Sequence, residues 1–294
     1  MPGCPPDQVM IDRILILGTG LLGTSTGLSL LEAGFQGTIT GWDKDPRQAE
    51  AARDLHAIHA IADTVETALA EAKVAQLILI ATPVYAILNW MEHLAPILSE
   101  QQLVTDVGST KSLIASAAER LFNQPNRAAF LPGHPMAGKE TAGAAHADAT
   151  LFQGAVWLFT PIPSDLPATP LATEWRAWIE AIGCSILEVE AARHDELLAW
   201  VSHLPQFLST ALTALLESKM GEVPELAAVG GRALREMTRL GSSPYSMWRD
   251  IAYTNTEAIA ASMHALEQRL AHLRENLRTP ELREEFELAN RFRK

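Results

Sequence analysis

The chain is poor in cysteine and has no long uninterrupted apolar run. Its 294 residues include two cysteines, Cys4 and Cys184, and neither lies in a spacing typical of a metal or redox site. Such sparse cysteine content fits a reducing compartment. The longest apolar stretch, 74–88, is interrupted by a glutamine and a proline and is too short to span a bilayer. Residues 1–12 lack the apolar core of a signal peptide. These absences predict a cytoplasmic protein.

The chain also lacks an excess of basic residues. It carries 23 lysines and arginines against 35 aspartates and glutamates, a formal net charge of −12. Nucleic acids and anionic membranes are bound through basic faces, so neither is an expected partner. The 48% hydrophobic and 20% charged content is that of a folded globular protein. We therefore expect a small-molecule ligand, held by a few cations in a pocket if it is anionic.

A glycine cluster follows the first strand-like run of the chain. The segment Gly18-Thr19-Gly20-Leu21-Leu22-Gly23 comes after four aliphatic residues and before a helix-forming run. In this order G-x-G-x-x-G predicts dinucleotide binding. Gly18 permits the tight turn, Gly20 lets the backbone approach a pyrophosphate, and Gly23 allows the helix to pack closely on the strand. The N–H groups of the first helical turn, including that of Leu22, attract the phosphates. A purely structural turn is the alternative.

A second strand-like run ends in an acid. Asp43 follows Gly23 by 20 positions, about where a carboxylate meets the adenosine ribose hydroxyls. Such a carboxylate repels a 2′-phosphate, so NAD is the predicted cofactor. NADP is the less favoured alternative, because Lys44 and Arg47 lie nearby and could meet a phosphate.

Up to about residue 190, strand-like and helix-like segments alternate, as is typical of a parallel sheet covered by helices. The later strand-like segments are 77–81, 103–107, 129–132, 157–160 and 185–189. Beyond residue 191 helical periodicity replaces them. We predict an α/β plus all-α fold, with a Rossmann-type doubly wound sheet in a dinucleotide-binding domain at 1–190. Residues 191–294 are predicted to form a helical substrate and dimerisation domain.

Three polar segments follow predicted strands, at the sheet edge where ligands bind. They are Thr82-Pro83, 108–111 and 133–138. His134 lies in the last of these as part of a loop, where no packing demand explains a histidine. Its imidazole can accept a proton from a substrate hydroxyl near neutral pH. Ser109 is a candidate partner and equally a candidate helix N-cap. A surface histidine is the alternative for His134.

These motifs resemble the prephenate/arogenate dehydrogenase family over nearly the whole chain. Besides the glycine cluster, the matching segments are 105–111 (TDVGSTK), 133–138 (GHPMAG), 202–205 (SHLP), 237–239 (MTR) and 248–251 (WRDI). The resemblance implies an NAD(P)-dependent oxidative decarboxylase of tyrosine biosynthesis. It also implies that His134 is catalytic, that Ser109 supports it and that Arg239 binds a substrate carboxylate.

The chemistry of that reaction accounts for these residue types. A cyclohexadienol can give a hydride from its carbinol carbon to nicotinamide, and loss of CO2 then makes the ring aromatic. The reaction needs a proton acceptor, and neutral His134 can supply it. It also needs a group that binds a carboxylate, which the guanidinium of Arg239 can do through two parallel hydrogen bonds. Glu236, three residues before Arg239, lies on the same helix face and could orient it. A solvated surface pair is the alternative for Glu236.

Two departures from the family pattern lie on the substrate side. Position 206 is glutamine where many members have a second histidine, and the loop 230–233 lacks a glycine that is common there. Gln206 cannot carry charge, and its amide can pair with both an ammonium and a carboxylate. We therefore predict that arogenate is used at least as well as prephenate.

The helical half contains two further substrate-binding candidates. Pro205 interrupts an apolar stripe at helical spacing, frees the carbonyl of Val201 and is expected to kink the helix. His203 beside it is a pocket residue or a core histidine. Trp248 is a pocket aromatic or core packing.

A heptad seam predicts a homodimer through the C-terminal helices. Apolar residues recur at alternating steps of four and three, at Ile259, Met263, Leu266, Leu270, Leu273 and Leu277. A seam sustained over about three heptads usually meets another helix.

Two other patterns are weaker. Residues 23–27 match the G-x-S-x-G of serine hydrolases, but Ser25 then lies inside the helix after the glycine turn. His56 and His59 have the spacing of a helical metal pair without an evident third ligand, so no metal site is predicted.

Two other functions stay open. Another two-domain hydroxyacid dehydrogenase would be expected to use a lysine of the helical half, where Lys219 is the only one between Lys139 and Lys294. A catalytically silent NAD-binding regulator would not need Ser109, His134 and Arg239 together. The sequence shows no separate regulatory domain, so feedback by tyrosine would have to act at the active site.

Overall fold

The computed structural model describes residues 11–162, 169–221 and 223–293. They form two compact units. The first contains the chain through Asp195 together with Ser242–Thr254, and the second contains Glu196–Gly241 and the residues from Asn255 onward. Cys4 lies outside the described residues. None of the helices in the described part of the chain combines the length and apolar character needed to cross a membrane.

Six parallel strands form the main sheet of the first unit. They are β1 (Arg13–Leu17), β2 (Thr38–Trp42), β3 (Ala60–Ile61), β4 (Leu77–Ile80), β5 (Leu103–Asp106) and β6 (Ala129–Leu131). Their spatial order is β3-β2-β1-β4-β5-β6. The order reverses between β1 and β4, as in doubly wound dinucleotide-binding sheets. The predicted α/β fold class is therefore confirmed.

The aliphatic runs of the sequence become strands that are buried on both faces. In β1, Ile14 and Ile16 enter one apolar cluster, and Leu15 and Leu17 enter the other. A strand covered by helices on both sides has no solvent-facing positions, which is why its sequence shows no polar alternation.

Five helices alternate with these strands. They are α1 (Leu21–Glu32), α2 (Pro46–Asp54), α3 (Val65–Ala72), α4 (Val84–Leu94) and α5 (Ser112–Phe122). The helices α3 and α4 were not predicted from the sequence, although each begins at a recognisable residue. The Thr64 side chain accepts a hydrogen bond from the N–H of Thr67 and caps α3, and Pro83 stands directly before α4.

The first unit also contains a second, three-stranded sheet. Its strands are β7 (Gly133–Pro135), β8 (Val156–Phe159) and β9 (Ser185–Glu188). A 3-10 turn at Ala144–His146 and α6 (Pro170–Ala181) lie between them in sequence. β8 pairs antiparallel with β7 and parallel with β9. The interpretation of 133–135 as a loop was wrong, because a strand of three residues is too short to show periodicity.

Helices make up the rest of the chain. They are α7 (Ala191–Leu198), α8 (Leu204–Met220), α9 (Pro224–Val229), α10 (Arg232–Thr238), α11 (Tyr245–Thr254), α12 (Thr256–Glu275) and α13 (Glu281–Arg293). The unit boundary falls inside α7, and α11 belongs to the first unit. Within that unit, the hydroxyls of Thr110 and Thr254 are hydrogen-bonded at 2.7 Å.

A π-helical turn at Ala199–His203 precedes α8, at the place where the sequence predicts a kink. Pro205 has no N–H to give to the carbonyl of Val201. The wider turn lies where that hydrogen bond is missing, so the irregularity follows from the proline.

Candidate active site

The glycine loop between β1 and α1 has the geometry that its sequence predicts. Gly18 has φ +100°, and a Cβ there would lie 2.5 Å from the carbonyl oxygen of Ala81. A Cβ on Gly23 would overlap the carbonyl oxygen of Gly18, whereas one on Gly20 would meet nothing within 4 Å. The helix α1 begins at Leu21 without a side-chain cap. The N–H groups of its first turn, including that of Leu22, therefore form a site that can bind an anion.

Asp43 directly follows β2 and is tied to the glycine loop. Its Oδ2 accepts from the N–H of Thr19 and its Oδ1 from the N–H of Asp45, both at 2.9 Å. Burial raises the pKa of Asp43, although these backbone hydrogen bonds oppose the rise. Arg47, which the sequence suggested as a phosphate ligand, makes two 2.9 Å hydrogen bonds to the Asp45 carboxylate. Its guanidinium therefore already has an anionic partner.

Thr82 and Pro83 follow β4 at the same edge of the sheet. Thr82 lies beside the glycine loop, since its Cγ2 would be 2.8 Å from a Cβ placed on Gly18. The Thr82 hydroxyl is buried and has no hydrogen-bond partner in the described protein. A buried hydroxyl is unfavourable unless something bonds it, which a bound ligand can do. The residues at this edge thus fit a dinucleotide.

A buried ion pair holds the next two strand ends together. Lys111 Nζ contacts Asp106 Oδ2 and donates to the carbonyl of Gly133 at 2.7 Å. Asp106 also accepts from the N–H groups of Gly108 at 2.7 Å and Gly133 at 3.2 Å. Burial lowers the pKa of Lys111, although the Asp106 carboxylate opposes this. The loop that contains Ser109 is therefore fixed relative to the strand β7 that carries His134.

Ser109 lies half-buried in that loop and does not cap the following helix. The helix α5 begins at Ser112, and the N-cap interpretation of Ser109 was wrong. The Asp195 carboxylate takes the capping role from another element. It accepts from the N–H of Lys111 at 2.7 Å and from the N–H of Ser112 at 2.9 Å.

His134 is buried, with 8% of its surface exposed. Its Nδ1 lies 2.9 Å from His194 Nε2, and His194 Nδ1 lies 2.8 Å from Asp195 Oδ1. The interpretation of His134 as a loop residue without packing demands was wrong. His194 and Asp195 were not predicted from the sequence. An adjacent His-Asp pair just after the last predicted strand was the available signal.

Burial and hydrogen bonding shift the pKa values of His194 and Asp195. Burial lowers the pKa of His194, against the opposing effect of its hydrogen bond to Asp195. Burial alone would raise the pKa of Asp195, but the hydrogen bonds from His194, Ser112 and Lys111 outweigh it and lower that pKa. Near neutral pH, His194 is therefore neutral and Asp195 is ionised.

The remaining candidates are divided between the two units. Trp248 lies on α11 in the first unit, whereas His203, Gln206 and Arg239 belong to the second. His203 is buried in the π-helical turn, with its Nδ1 3.3 Å from the side-chain nitrogen of Asn255. Arg239 is exposed and begins a 3-10 turn, Arg239–Ser242.

Gln206 is buried and engaged within its own unit. Its Nε2 donates to the carbonyl of Leu240 at 2.7 Å and to the hydroxyl of Thr210 at 3.2 Å. Both amide hydrogens are thus used. While these bonds hold, the Gln206 amide cannot also donate to a substrate carboxylate, as the prediction for arogenate required. The bond to Leu240 fixes the residue next to Arg239.

The structure shows contacts for three residues of the weaker interpretations. Glu236 accepts from Arg232 Nε at 2.6 Å, and both side chains are exposed, so Glu236 forms a surface pair with Arg232 in place of the predicted Arg239. Ser25 is buried inside α1 and its hydroxyl accepts from the N–H of Asp148, so it is not at a turn. His59 Nδ1 accepts from the N–H of Ile39, which is a structural role.

The fold and the site define a dinucleotide-binding α/β protein with a buried histidine at the end of the strands. Comparisons with known proteins specify the class further. Residues 26–178 match the prephenate dehydrogenase nucleotide-binding domain, and residues 190–293 match the prephenate dehydrogenase dimerization domain. The chain belongs to the prephenate dehydrogenase family.

Relatives and a solved structure agree with this assignment. The chain is 31% identical to the prephenate dehydrogenase of Bacillus subtilis over 85% of this chain and 66% of that protein, so it spans just under two thirds of that relative. It is 30% identical to the cyclohexadienyl dehydrogenase of Zymomonas mobilis over 86% of this chain and 84% of that protein. The crystal structure of A. aeolicus prephenate dehydrogenase with hydroxyphenyl propionate and NAD+ superposes with a TM-score of 0.86, 27% identity and coverage of 98% and 99%.

Proposed function

We propose that the chain is an NAD-dependent dehydrogenase that oxidatively decarboxylates prephenate, arogenate or both, to 4-hydroxyphenylpyruvate or tyrosine. The observation that carries this proposal is His134, buried in the same unit as the glycine loop and bonded through Nδ1 to His194. The names of the relatives support the reaction class. One acts on prephenate, and a solved neighbour holds NAD+ with a hydroxyphenyl ligand.

The cofactor contacts are assigned to one edge of the main sheet. The residues proposed to hold NAD are Gly18, Gly20, Leu22, Gly23, Asp43, Thr82 and Pro83. Asp43 has the carboxylate that ribose hydroxyls require, and Arg47 is paired with Asp45. Both features favour NAD over NADP. When bound, the nicotinamide supplies the hydride acceptor of the reaction.

The chain's own residues supply the proton transfer and the substrate contacts. His134 accepts the proton of the substrate hydroxyl as the carbinol carbon becomes a carbonyl. The ring carboxylate leaves as CO2, and the electrons of the broken carbon–carbon bond complete the aromatic ring. Ser109 hydrogen-bonds the hydroxyl or His134. Arg239 binds a substrate carboxylate, and His203, Gln206 and Trp248 are the other proposed substrate-binding residues.

We further propose a cytoplasmic homodimer joined through the C-terminal helices. The matched dimerization domain covers residues 190–293. Apolar side chains on the outside of this region support the proposal, since Leu270 on α12 is 51% exposed and Phe286 on α13 is 65% exposed.

The direct test is turnover of the purified protein with NAD and either prephenate or arogenate. The account predicts that reduced nicotinamide, followed by its absorbance, appears together with an equal amount of CO2. A protein that turns over neither prephenate nor arogenate would contradict the proposed reaction. Hydride transfer without CO2 release would move the protein to another class of dehydrogenase.

A further inference from the structure

His194 links the candidate base to a buried carboxylate. It lies on α7 and is completely buried, as is nearly all of Asp195 beside it. Its Nε2 faces His134 Nδ1 at 2.9 Å, and its Nδ1 faces Asp195 Oδ1 at 2.8 Å. Three side chains thus form one hydrogen-bonded series within the first unit.

When both imidazoles are neutral, the series allows one arrangement of protons. An ionised carboxylate can only accept, so His194 Nδ1 carries a hydrogen and donates it to Asp195. His194 is neutral, because burial lowers its pKa, so its Nε2 is a bare acceptor. His134 must then donate from Nδ1, which leaves His134 Nε2 with its lone pair.

We propose that His194 and Asp195 are positioning residues that hold His134 in the tautomer with its proton on Nδ1, so that Nε2 is the base. The inference rests on the proposed function for the use of that base, but the tautomer itself is a property of the resting protein. The hydrogen bonds of the His194 ring go to His134 and Asp195, so His194 is proposed to act on the substrate only through His134.

The same series also stabilises the product of proton transfer. When His134 Nε2 takes the substrate proton, the imidazolium donates from Nδ1 to His194, which in turn donates to the Asp195 carboxylate. The charge on His134 is thereby offset inside a buried site, where an isolated cation would be unfavourable. The other charged groups facing the pair are Lys111 and Asp106, which form their own ion pair.

The hydrogen bond between the two rings makes the arrangement depend on both of them. A proton on His194 Nε2 would remove the acceptor of the His134 Nδ1 hydrogen, and a proton on His134 Nε2 would occupy the base itself. Asp195 is a poor choice for testing this idea, because it also caps α5 through Lys111 and Ser112. His194 has no such second role among its hydrogen bonds to Asp195 and His134, so it is the better site for substitution.

Two variants of His194 separate hydrogen bonding from mere space filling. In His194→Gln, the amide carbonyl can accept from His134 and the amide nitrogen can donate to Asp195. In His194→Leu, neither bond is possible. We expect His194→Leu to lower kcat roughly 10- to 150-fold, the worth of a hydrogen bond to a group that becomes charged. His194→Gln should keep kcat within about tenfold of wild type. Neither should change the Kd for NAD, and His93→Leu, at an exposed histidine of α4, is the matched control.

A spectroscopic measurement tests the tautomer without any turnover. Nitrogen-15 spectra of the wild-type imidazoles, with the His134 signals assigned by their loss in His134→Asn, should show Nδ1 protonated and Nε2 bare. In His194→Leu, the two tautomers of His134 should mix. A wild-type His134 protonated on Nε2 would overturn the inference, and so would equal kcat loss in His194→Gln and His194→Leu. If the spectra agree but no substrate is turned over, the tautomer assignment stands and the proposed reaction fails.

Discussion

At the scale of single residues, the candidate site depends on where protons reside. His134 is useful as a base only if one particular nitrogen is bare, and its partner His194 lies 60 residues away in sequence. Burial of His194 keeps that partner neutral, which makes the arrangement sensitive to acid.

Folding stability should fall in mild acid because of His194. Its pKa in the folded protein is lowered, whereas the unfolded chain has the ordinary value of about 6.5. Below about pH 6.5, the unfolded state binds a proton that the folded state does not, so acid favours unfolding by up to about 1.4 kcal/mol per pH unit. Denaturant titrations at about pH 7.5 and 5.5 should show a smaller loss for His194→Gln than for wild type. The lowered pKa of Asp195 also makes stability fall in acid, but only below about pH 4. Equal losses of stability in wild type and His194→Gln would show that His194 does not cause the fall in stability in mild acid.

Cofactor choice should depend on Asp43. Replacing it by serine removes the negative charge that repels a 2′-phosphate and that accepts from ribose hydroxyls. Asp43→Ser should lower kcat/KM for NAD and move the NAD-to-NADP ratio toward NADP, measured with saturating substrate. Glu50→Ser, at an exposed acid of α2, is a matched control and should leave the ratio unchanged. A wild-type enzyme that uses NADP as well as NAD would contradict the assignment.

At the scale of elements, the site is held by contacts between strand ends. The Asp106–Lys111 pair joins the loop after β5 to β7, and Asp195 joins α7 to the start of α5. These bonds connect segments that are distant in sequence. They explain why Ser109 and His134 occupy fixed positions although neither lies in a long helix or strand.

The buried ion pair should matter greatly for folding. In Lys111→Met, the fully buried Asp106 carboxylate loses its cation, and removing one partner of a buried pair costs about 3–5 kcal/mol. Urea titration should show that loss. The double variant Lys111→Met/Asp106→Asn should be less destabilised than the sum of the single variants, because it leaves no unpaired charge. Lys73→Met, at an exposed lysine, is the control. Unchanged stability in Lys111→Met would show that the pair does not hold the loop.

The elements also show which parts of the structure the sequence could predict. The glycine loop, Asp43 and the alternating segments are local patterns, and the structure has them where the sequence places them. The strand β7 and the pairing of His134 with His194 depend on contacts across 60 residues, which no local pattern contains. The return of Ser242–Thr254 to the first unit was missed for the same reason.

At the scale of the whole molecule, the helical region presents apolar side chains that a single chain leaves in solvent. Along the predicted seam, Ile259 is buried, whereas Met263 is 37% and Leu270 is 51% exposed. Leu277 lies beyond the end of α12, so the helical part of the seam ends at Leu273. In the proposed homodimer, a second copy of the chain covers these positions.

The proposed homodimer should be disrupted by a charge on that face. Burying an unpaired carboxylate at an interface is unfavourable, so Leu270→Glu should convert a dimer to a monomer in sedimentation experiments. Gln268→Glu adds the same charge to another exposed position of α12 and should leave the dimer intact. A wild-type monomer, or a dimer that tolerates Leu270→Glu, would place the interface elsewhere.

The most direct test of the account is the turnover of His134→Asn. The amide fills the site but cannot accept the hydroxyl proton as an imidazole does, so kcat should fall roughly 10²–10⁴-fold, the usual worth of general-base catalysis. The Kd for NAD should stay that of the wild type, because the cofactor contacts are assigned to other residues. A His134→Asn protein that binds NAD normally and keeps a near-wild-type kcat would contradict the central claim that His134 is the base.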